Sequence, residues 1–526
     1  MRFQGSSNRD LSCCFRAGGN FPIGPFPSGR SCAWRISGPA CHLQWVPFPS
    51  DGANSFLLAF WEFAAGMGAF PPGCIRIDGE YFCCSGDLIV RNLNLSELSG
   101  LAIGLGRTYR MLEKMPRVSR DEMLAWQLGK IRNLVQHAYL KIPFYKALYS
   151  GAGFQLGDLK TWEDFRRLPV VKKDDVVANY PERMLEAGYD LDRLIVSRSS
   201  GSSGKVLDIA YDQRAMSTFI LAGLRLYRMG FRYLPWHKHL YVYTSPYPLR
   251  SLFGLYPLHF VSTLTPIPEI VSALRRVRPA LLVCYPSHLR QIAAAIPDKE
   301  RNSLGLKVIS VNSEMSTQLE RDELKRQFGC PVLDEYSSEE LTRIAAQCLS
   351  GSYHIFEDIN YMEVLDDSGK PVDGLGVLVG TNLHNYAMPM IRYQQNDLGS
   401  IHESKCGCGW RFRSLTQLEG RRNDSFIMPS GKVLSSGFLL DATYEFLLNY
   451  RTAIREFCLI QESCGSVTLQ IVPDSGWSNE VSSKIAQRFR NLLEADVSFQ
   501  ITVVEACEKT KSGKQNPIVC RVKTVG

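Results

Sequence analysis

Hydrophobic and polar positions follow a helical period where the regular part of the chain begins, near residue 116. Ser119 and Glu122 form a capping box, and the residues after them place apolar side chains at helical spacing. This pattern predicts a long amphipathic helix. Its predicted buried face consists of Leu124, Leu128, Ile131, Val135 and Ala138.

Helical stretches then alternate with short apolar runs at 239–244, 280–286 and 307–312, which is typical of an α/β fold with buried strands. After about residue 421 the pattern changes to a smaller α+β unit. It predicts helices at 437–450 and 478–494 and strands at 453–462, 466–473 and 497–506. The predicted domains are an extension (1–115), a large domain (116–420) and a small domain (421–526).

Residues 1 to about 100 are rich in Gly, Pro, Ser, Cys and aromatic residues and follow neither the helical nor the strand period. We expect residues 1–115 to be poorly ordered or not part of the core, and a small metal-binding appendage remains an alternative. The apolar run at 55–70 contains Glu62 and is short for a membrane-spanning helix. No stable membrane insertion is therefore expected.

Composition narrows the function classes. The 526 residues are 45% hydrophobic and 21% charged, as in globular proteins, and the net charge of +8 suits phosphate ligands or simply a basic surface. The chain has no basic run, which argues against a nucleic-acid partner. Seven of the 16 cysteines precede residue 85, and the others form no CxxC pair. This usage favours a reducing compartment, so a cytoplasmic location is expected. The sequence predicts nothing about the oligomeric state.

A loop of serines and glycines precedes a lysine in the large domain. It consists of Ser199, Ser200, Gly201, Ser202, Ser203, Gly204 and Lys205. Such a stretch is either a flexible linker or a phosphate-binding loop. The Walker A motif does not fit, because it requires glycine at position 199 and a hydroxyl residue at position 206, which is valine.

Four further motifs follow in order: PVLDEYSSEEL (331–341), YAMPMIRYQQNDLG (386–399), EGRRNDSF (419–426) and KSGK (511–514). Together with the Ser/Gly loop they resemble the adenylate-forming enzymes. The similarity over about 116–526 is to the phenylacetate–CoA ligase branch, which includes capsule-biosynthesis proteins of the CapK type. The resemblance implies a large adenylation domain followed by a small, mobile C-terminal domain. It also implies ATP, Mg²⁺, a small-molecule carboxylic acid and, as the expected thiol, coenzyme A.

The resemblance also implies roles for individual residues. Glu340 would bind Mg²⁺, with the adjacent Glu339 as the alternative, and Lys514 would contact the α-phosphate. Asp397 would hold the ribose, Arg421 the ribose or phosphate, and Asp424 would be the hinge. Besides the Ser/Gly loop, the nucleotide-binding set would include Ser313, Glu314, Tyr336, Ser337, Ser338 and Glu339. Without the resemblance, the acidic pair after Tyr336 would be read as the start of a surface helix.

The motif set departs from the family pattern at several positions. Val206 and Ser337 replace the usual proline and glycine, and Leu440 stands where a glutamate is usual. Gly431, near the expected coenzyme A tunnel, keeps the family residue. These departures leave two alternatives open: transfer of the acyl group to a non-thiol acceptor in polysaccharide biosynthesis, and a non-catalytic nucleotide-binding relative.

Two smaller sets complete the candidates. Tyr285 and His288 would line the acid pocket, although His288 is equally typical of a polar helix start. Cys348, Cys406 and Cys408 are candidate zinc ligands. A tetrahedral site needs a fourth ligand, for which the sequence alone assigns no histidine.

Overall fold

The computed structural model describes residues 95–526 except 187, 189–193, 199–206, 245–256, 451, 511–512 and 523–526, and four short strands before residue 95. The predicted phosphate loop and the apolar run at 55–70 therefore lie outside the described residues. No helix within the described part of the chain has the length and apolarity needed to cross a bilayer.

The chain divides into two compact units after Gly73. In the first unit, β1 (Cys32–Ser37) pairs antiparallel with β2 (His42–Pro47). The second unit begins with the pair β3 (Ile75–Ile77) and β4 (Glu80–Phe82), followed by helix α1 (Leu95–Lys114). Such short strands contain too few alternations to produce a period in the sequence, and the expectation for residues 1–115 remains a prediction.

Eleven further helices follow α1 along the chain. They are α2 (Arg120–Lys141), α3 (Pro143–Gly151), α4 (Trp162–Arg166), α5 (Lys173–Asn179), α6 (Gln213–Gly230), α7 (Ile267–Val277), α8 (Pro286–Ala295), α9 (Asp298–Arg301), α10 (Gln318–Phe328), α11 (Ser436–Leu448) and α12 (Asn479–Leu492), counted over the described residues.

The remaining strands belong to a large sheet, a small sheet and two hairpins. They are β5 (Ile195–Arg198), β6 (Asp208–Tyr211), β7 (His239–Tyr243), β8 (Leu258–Ser262), β9 (Leu281–Cys284), β10 (Val308–Asn312), β11 (Val332–Ser338), β12 (Thr342–Gln347), β13 (Tyr353–Ile355), β14 (Asn360–Leu365), β15 (Gly376–Asn382), β16 (Tyr393–His402), β17 (Ser414–Arg421), β18 (Phe426–Ile427), β19 (Val433–Leu434), β20 (Ile454–Ser463), β21 (Ser466–Pro473), β22 (Ser498–Val503) and β23 (Ile518–Cys520).

The large sheet has eleven strands in the order β14-β15-β16-β17-β13-β12-β11-β10-β9-β7-β8. Strands β8, β7, β9, β10 and β11 are parallel to one another. On the other side of β11, every pair of neighbouring strands out to β14 is antiparallel. β9 and β10 are buried along their whole length, which explains their continuous apolar sequences. The predicted strands at 239–244, 280–286 and 307–312 are confirmed.

Helix α2 begins at the predicted capping box, where the Ser119 hydroxyl accepts a hydrogen bond from the Glu122 backbone N–H. Its buried face is rotated slightly from the prediction, because Met123 and Gln127 replace the half-buried Leu124 and Leu128. The Gln127 side chain donates to the Glu357 carbonyl at 2.7 Å. Periodicity treats glutamine as a surface residue and cannot anticipate this buried partner.

We expect Ser119→Ala to lower the free energy of unfolding by about 1 kcal/mol, because it removes the acceptor for an otherwise unpaired helix N–H. Chemical denaturation would measure the change. Ser475→Ala, at an exposed turn, is the control. Equal stabilities of the two variants would contradict the capping role.

Within the second compact unit, the four-stranded sheet β22-β21-β20-β23 shares a core with α11 and α12. These elements are called the small unit below. β20 and β21 are antiparallel, and each has a parallel outer neighbour. Its shared apolar core includes Leu459, Leu469 and Phe489. The helices and strands predicted after residue 421 are confirmed within a few residues at their ends. The boundaries 115/116 and 420/421 remain predictions.

The acidic segment after β11 is a hairpin turn and not the start of a helix. β11 extends to Ser338, and the chain returns antiparallel as β12 from Thr342, which has a φ of 61°. The surface-helix alternative is therefore wrong. Both glutamates, Glu339 and Glu340, are held where the parallel half of the sheet meets the antiparallel half.

Candidate functional site

The candidate residues gather at one edge of the large sheet. Parallel strands β9, β10 and β11 place their carboxyl ends side by side, and these ends are continued by Tyr285, Ser313 and the turn with Glu339. In open α/β sheets, ligands bind outside the carboxyl ends of the strands. The topology therefore forms a candidate site here before any side chain is considered.

Tyr336, Asp397 and Arg421 form one group. The Tyr336 hydroxyl donates to Asp397 Oδ2 at 2.6 Å, and Asp397 lies opposite Arg421 in the β16–β17 pairing. Burial raises the pKa of Asp397, and the Arg421 charge partly opposes this shift. The group thus offers a desolvated carboxylate beside an aromatic ring and a cation, which is suited to a ribose and its base.

Glu339 and Glu340 point to different partners. Glu339 accepts a hydrogen bond from the Ser197 hydroxyl at 2.5 Å, whereas Glu340 Oε1 accepts from the Tyr393 hydroxyl at 2.9 Å. Burial raises the pKa of Glu339, and the Glu340 charge raises it further while Ser197 and Lys514 oppose the rise. A buried and a half-buried carboxylate are therefore adjacent at the turn, and the charge of one disfavours ionisation of the other.

Ser313 and Glu314 follow β10. Ser313 has a φ of 68°, a left-handed conformation uncommon for serine, and its hydroxyl lies 2.6 Å from that of Tyr243. The Glu314 carboxylate accepts hydrogen bonds from the Ser287 N–H at 3.0 Å and from the Gln515 N–H at 2.7 Å. Burial raises the pKa of Glu314, against the effect of these donors.

Lys514 lies in the same site although it is close to the C-terminus. Its Nζ is 5.5 Å from the ring centroid of Tyr285, and its charge interacts with Glu339 and Glu314. Burial lowers the pKa of Lys514, and the two carboxylates partly restore it. Gly513 supports this position with a φ of 78°, which a residue with a Cβ rarely adopts.

Tyr285 and His288 lie at the start of α8. Tyr285 is buried, and its ring contacts those of Tyr243 and His288 edge-on, with centroids 5.2 and 5.6 Å apart. His288 Nε2 donates to the Thr263 carbonyl at 3.0 Å, and burial lowers the His288 pKa. Tyr243, Tyr285 and His288 thus form an aromatic group, in which the His288 ring is held by a backbone carbonyl.

Two further candidates follow β17 along the chain. Asp424 is in the short connection between β17 and β18, where burial raises its pKa and Arg421 opposes the rise. Gly431 is in the turn between β18 and β19, with a φ of 85°. Their proposed roles concern the movement of the small unit and its thiol channel.

The candidate zinc ligands Cys348, Cys406 and Cys408 do come together, and His354 joins them. This group lies at the opposite ends of β12 and β17 from Glu340 and Arg421. The sequence segment 345–358 contains both Cys348 and His354, so their short spacing was the signal available for the fourth ligand.

Three residues at the site were not singled out from the sequence. Tyr393 binds Glu340, Ser197 binds Glu339, and Gln515 binds Glu314. Tyr393 lies within the motif at 386–399 and Gln515 directly follows the motif at 511–514, which was the available signal. Ser197 was hidden among the serines before the loop.

Comparison with protein families gives one matching model, the CapK C-terminal domain, at residues 426–521. Among similar proteins, a phenylacetate–coenzyme A ligase of Thermus thermophilus is 27% identical over 372 residues, covering 67% of this chain and 82% of the relative. Another from Escherichia coli is 25% identical, covering 62% and 78%. Protein CapK of Staphylococcus aureus is 20% identical over 83% of this chain and 98% of the relative.

Solved structures agree on the fold. A 2-hydroxyisobutyryl-CoA ligase, solved in the postadenylation state with R3-HIB-AMP, has a TM-score of 0.66 at 20% identity, covering 78% of this chain and 91% of that one. The same ligase in its thioesterification state has a TM-score of 0.53. These comparisons show that the chain is similar to phenylacetate–CoA ligases and to CapK, and that it shares its fold with a solved acyl-CoA ligase.

Proposed function

We propose that this protein uses ATP to convert a carboxylic acid into an acyl-AMP and then transfers the acyl group to a thiol, with coenzyme A as the acceptor. The observation that carries the proposal is the position of Lys514. A lysine from the C-terminal segment reaches the carboxyl ends of the parallel strands, beside Tyr285 and within electrostatic range of Glu339. Burying an ammonium costs hydration free energy, so a lysine without a role would be expected to stay in solvent.

The first step joins the acid to AMP. A carboxylate oxygen attacks the α-phosphorus of ATP, and the bond to the bridging oxygen of pyrophosphate breaks. Both reactants are anionic, so positioning and charge stabilisation supply most of the acceleration. The Lys514 ammonium would stabilise the crowded α-phosphate, and the donors of the Ser/Gly loop would hold the leaving pyrophosphate.

The carboxylate oxygens at the β11–β12 turn are suitable ligands for Mg²⁺. Glu340 Oε1 accepts one hydrogen bond, and a carboxylate has about four acceptor positions, so the group retains capacity for a cation. When bound, Mg²⁺ neutralises charge on the phosphates. Glu340 is the proposed ligand, and Ser197 holds the neighbouring Glu339 in place.

The Tyr336–Asp397–Arg421 group would bind the nucleoside. Asp397 can accept hydrogen bonds from both ribose hydroxyls, with the Tyr336 ring against the base and Arg421 near the ribose or phosphate. The hydrogen bond between Tyr336 and Asp397 orients the carboxylate in advance. Such orientation reduces the entropy lost when the nucleotide binds.

The second step requires the thiol to reach the acyl-AMP. The thiolate sulfur attacks the acyl carbon, and AMP leaves with the bonding electrons. Rotation of the small domain at Asp424 would withdraw Lys514 and open a channel near Gly431. The ligases named above support coenzyme A as the acceptor.

A second acceptor class deserves a test because the CapK relative matches 98% of its own length. Leu440, at the position where ligases of this superfamily have a glutamate, is buried in the core of the small unit. A sugar amine or hydroxyl is therefore the alternative nucleophile, in polysaccharide biosynthesis.

The test is an exchange assay in which the protein is incubated with labelled pyrophosphate, ATP, Mg²⁺ and a panel of aryl and aliphatic acids. Acid-dependent label in ATP would support adenylation and identify the acid class. ATP binding without exchange for any acid would favour a non-catalytic relative. Product analysis with coenzyme A or an amino sugar then distinguishes the two acceptors.

Substitution of Glu314 tests whether its hydrogen bond to the Gln515 N–H holds the C-terminal segment in place during adenylation. We expect Glu314→Ala to slow acyl-AMP formation about 10- to 100-fold, since one charge-assisted hydrogen bond to the Gln515 N–H is worth about 1.5–3 kcal/mol. Transfer from supplied acyl-AMP should be unaffected. The exposed Glu505→Ala is the control, and thermal melting checks the fold. Equal losses in both half-reactions would argue against this positioning role.

A further inference from the structure

Three cysteines and one histidine meet away from the nucleotide site. One ligand atom from each of Cys348, His354, Cys406 and Cys408 lies within 4.8 Å of every other. Cys348 and His354 are buried, Cys406 is half-buried and Cys408 is exposed. Among the residues that the structure describes, these four are the only ones that form such a cluster.

The distances can be compared with those of a tetrahedral zinc centre. With Zn–S bonds of about 2.3 Å and Zn–N bonds of about 2.0 Å, neighbouring ligand atoms should lie roughly 3.5–3.8 Å apart. The 3.6 Å between Cys348 Sγ and Cys406 Sγ lies in this range, whereas the 3.1 Å between Cys408 Sγ and His354 Nε2 is shorter, so this pair would move apart slightly around the ion. A disulfide would need sulfurs about 2 Å apart.

The histidine is also oriented for coordination. His354 Nδ1 is 3.4 Å from the Phe412 carbonyl, to which it can donate its proton, and this leaves the Nε2 lone pair facing the cysteines. Metal-binding histidines commonly donate their second ring nitrogen in this way. The ring also packs against Trp410, which limits its rotation.

We propose that these four residues bind a structural zinc ion. Three thiolates and one imidazole are a ligand set typical of closed structural sites, which leave no position for a substrate. The site joins the β12–β13 turn to the loop between β16 and β17. Opposite ends of these hairpins, roughly 20 Å away at about 3.3 Å per strand residue, carry Glu340 and the Asp397–Arg421 pair. Zinc would thus fix the strands that present the nucleotide site.

The test is zinc content of the full chain, measured by elemental mass spectrometry after purification without chelator. We expect about one zinc per chain in the wild type. In competition with a chelator that leaves the wild type loaded, we expect Cys408→Ser to lose its zinc, because losing even a second-shell partner weakens binding about 10- to 100-fold. Cys464→Ser, at the β20–β21 turn, is the control and should keep its zinc.

Cys408 is chosen because it is exposed, so its serine variant is the one least expected to misfold. Cobalt substitution of the wild type supplies an independent readout, with the intense visible bands of a tetrahedral thiolate site. Wild-type protein without zinc, iron in its place, or a Cys348–Cys406 disulfide found by peptide mapping would overturn the proposal. So would full zinc in Cys408→Ser after that competition. None of these readouts depends on adenylation.

Discussion

Replacing Lys514 with alanine is expected to lower the rate of acyl-AMP formation about 10²- to 10³-fold, the usual loss when one preorganised donor to a developing charge is removed. The ammonium lies beside Tyr285, and burial lowers its pKa from 10.5. Both features indicate a charge held in a desolvated site. Pyrophosphate exchange would measure the rate, and ATP affinity should change little because the rest of the nucleotide site remains.

Lys509→Ala is the matched control, since Lys509 is on the same polar tail but pairs with Glu456 at 3.4 Å. Full adenylation activity in Lys514→Ala, with normal folding, would assign the catalytic cation elsewhere.

The lowered pKa of Lys514 also predicts the pH dependence of adenylation. An amine is charged below its pKa, so the rate should fall as pH rises through a value below the ordinary 10.5. Lys514→Arg keeps its charge at those pH values, because a guanidinium has a pKa above about 12. In that variant the alkaline decline attributed to Lys514 should disappear. If the rate falls at the same pH in the wild type and in Lys514→Arg, the decline must be assigned to another group.

Replacing Asp397 with alanine is expected to weaken ATP binding about 10²- to 10⁴-fold. Each hydrogen bond to a charged group contributes about 1.5–3 kcal/mol, and two ribose hydroxyls would lose theirs. The substitution also removes the acceptor of the Tyr336 hydroxyl and the charge opposite Arg421. Isothermal titration with ATP would measure affinity, and thermal melting would detect any loss of folding.

Asp373→Ala provides the comparison for Asp397, because Asp373 is an exposed aspartate of the same domain. Asp397→Asn separates charge from shape, since the amide retains one acceptor oxygen. We expect it to bind ATP with an intermediate affinity. Unchanged affinity in a folded Asp397→Ala protein would refute the ribose role.

Much of the fold follows from local sequence patterns. Helix α2 begins where a capping box starts it, and β9 and β10 lie where continuous apolar runs indicate strands buried on both faces. Patterns failed where the deciding partner was distant in sequence. Gln127 is buried because the Glu357 carbonyl receives its amide, and the acidic turn after Tyr336 is a hairpin because β12 pairs with β11.

Family resemblance supplied the candidate residues, but their contacts depended on topology. Tyr336 and Asp397 are 61 residues apart in sequence, on strands β11 and β16, and their side chains meet at 2.6 Å. Lys514 reaches the same edge through the docking of Gln515 on Glu314, a contact between residues 201 apart.

By itself the sequence determined the α/β class and the positions of α2, β7, β9 and β10, because capping and hydrophobic period are properties of neighbouring residues. Only the tertiary structure decided which groups share a site. It brought His354 to three cysteines and gave Glu339 and Glu340 different partners. The physical reason is that charge, desolvation and metal geometry act through space over a few ångströms, whatever the separation along the chain.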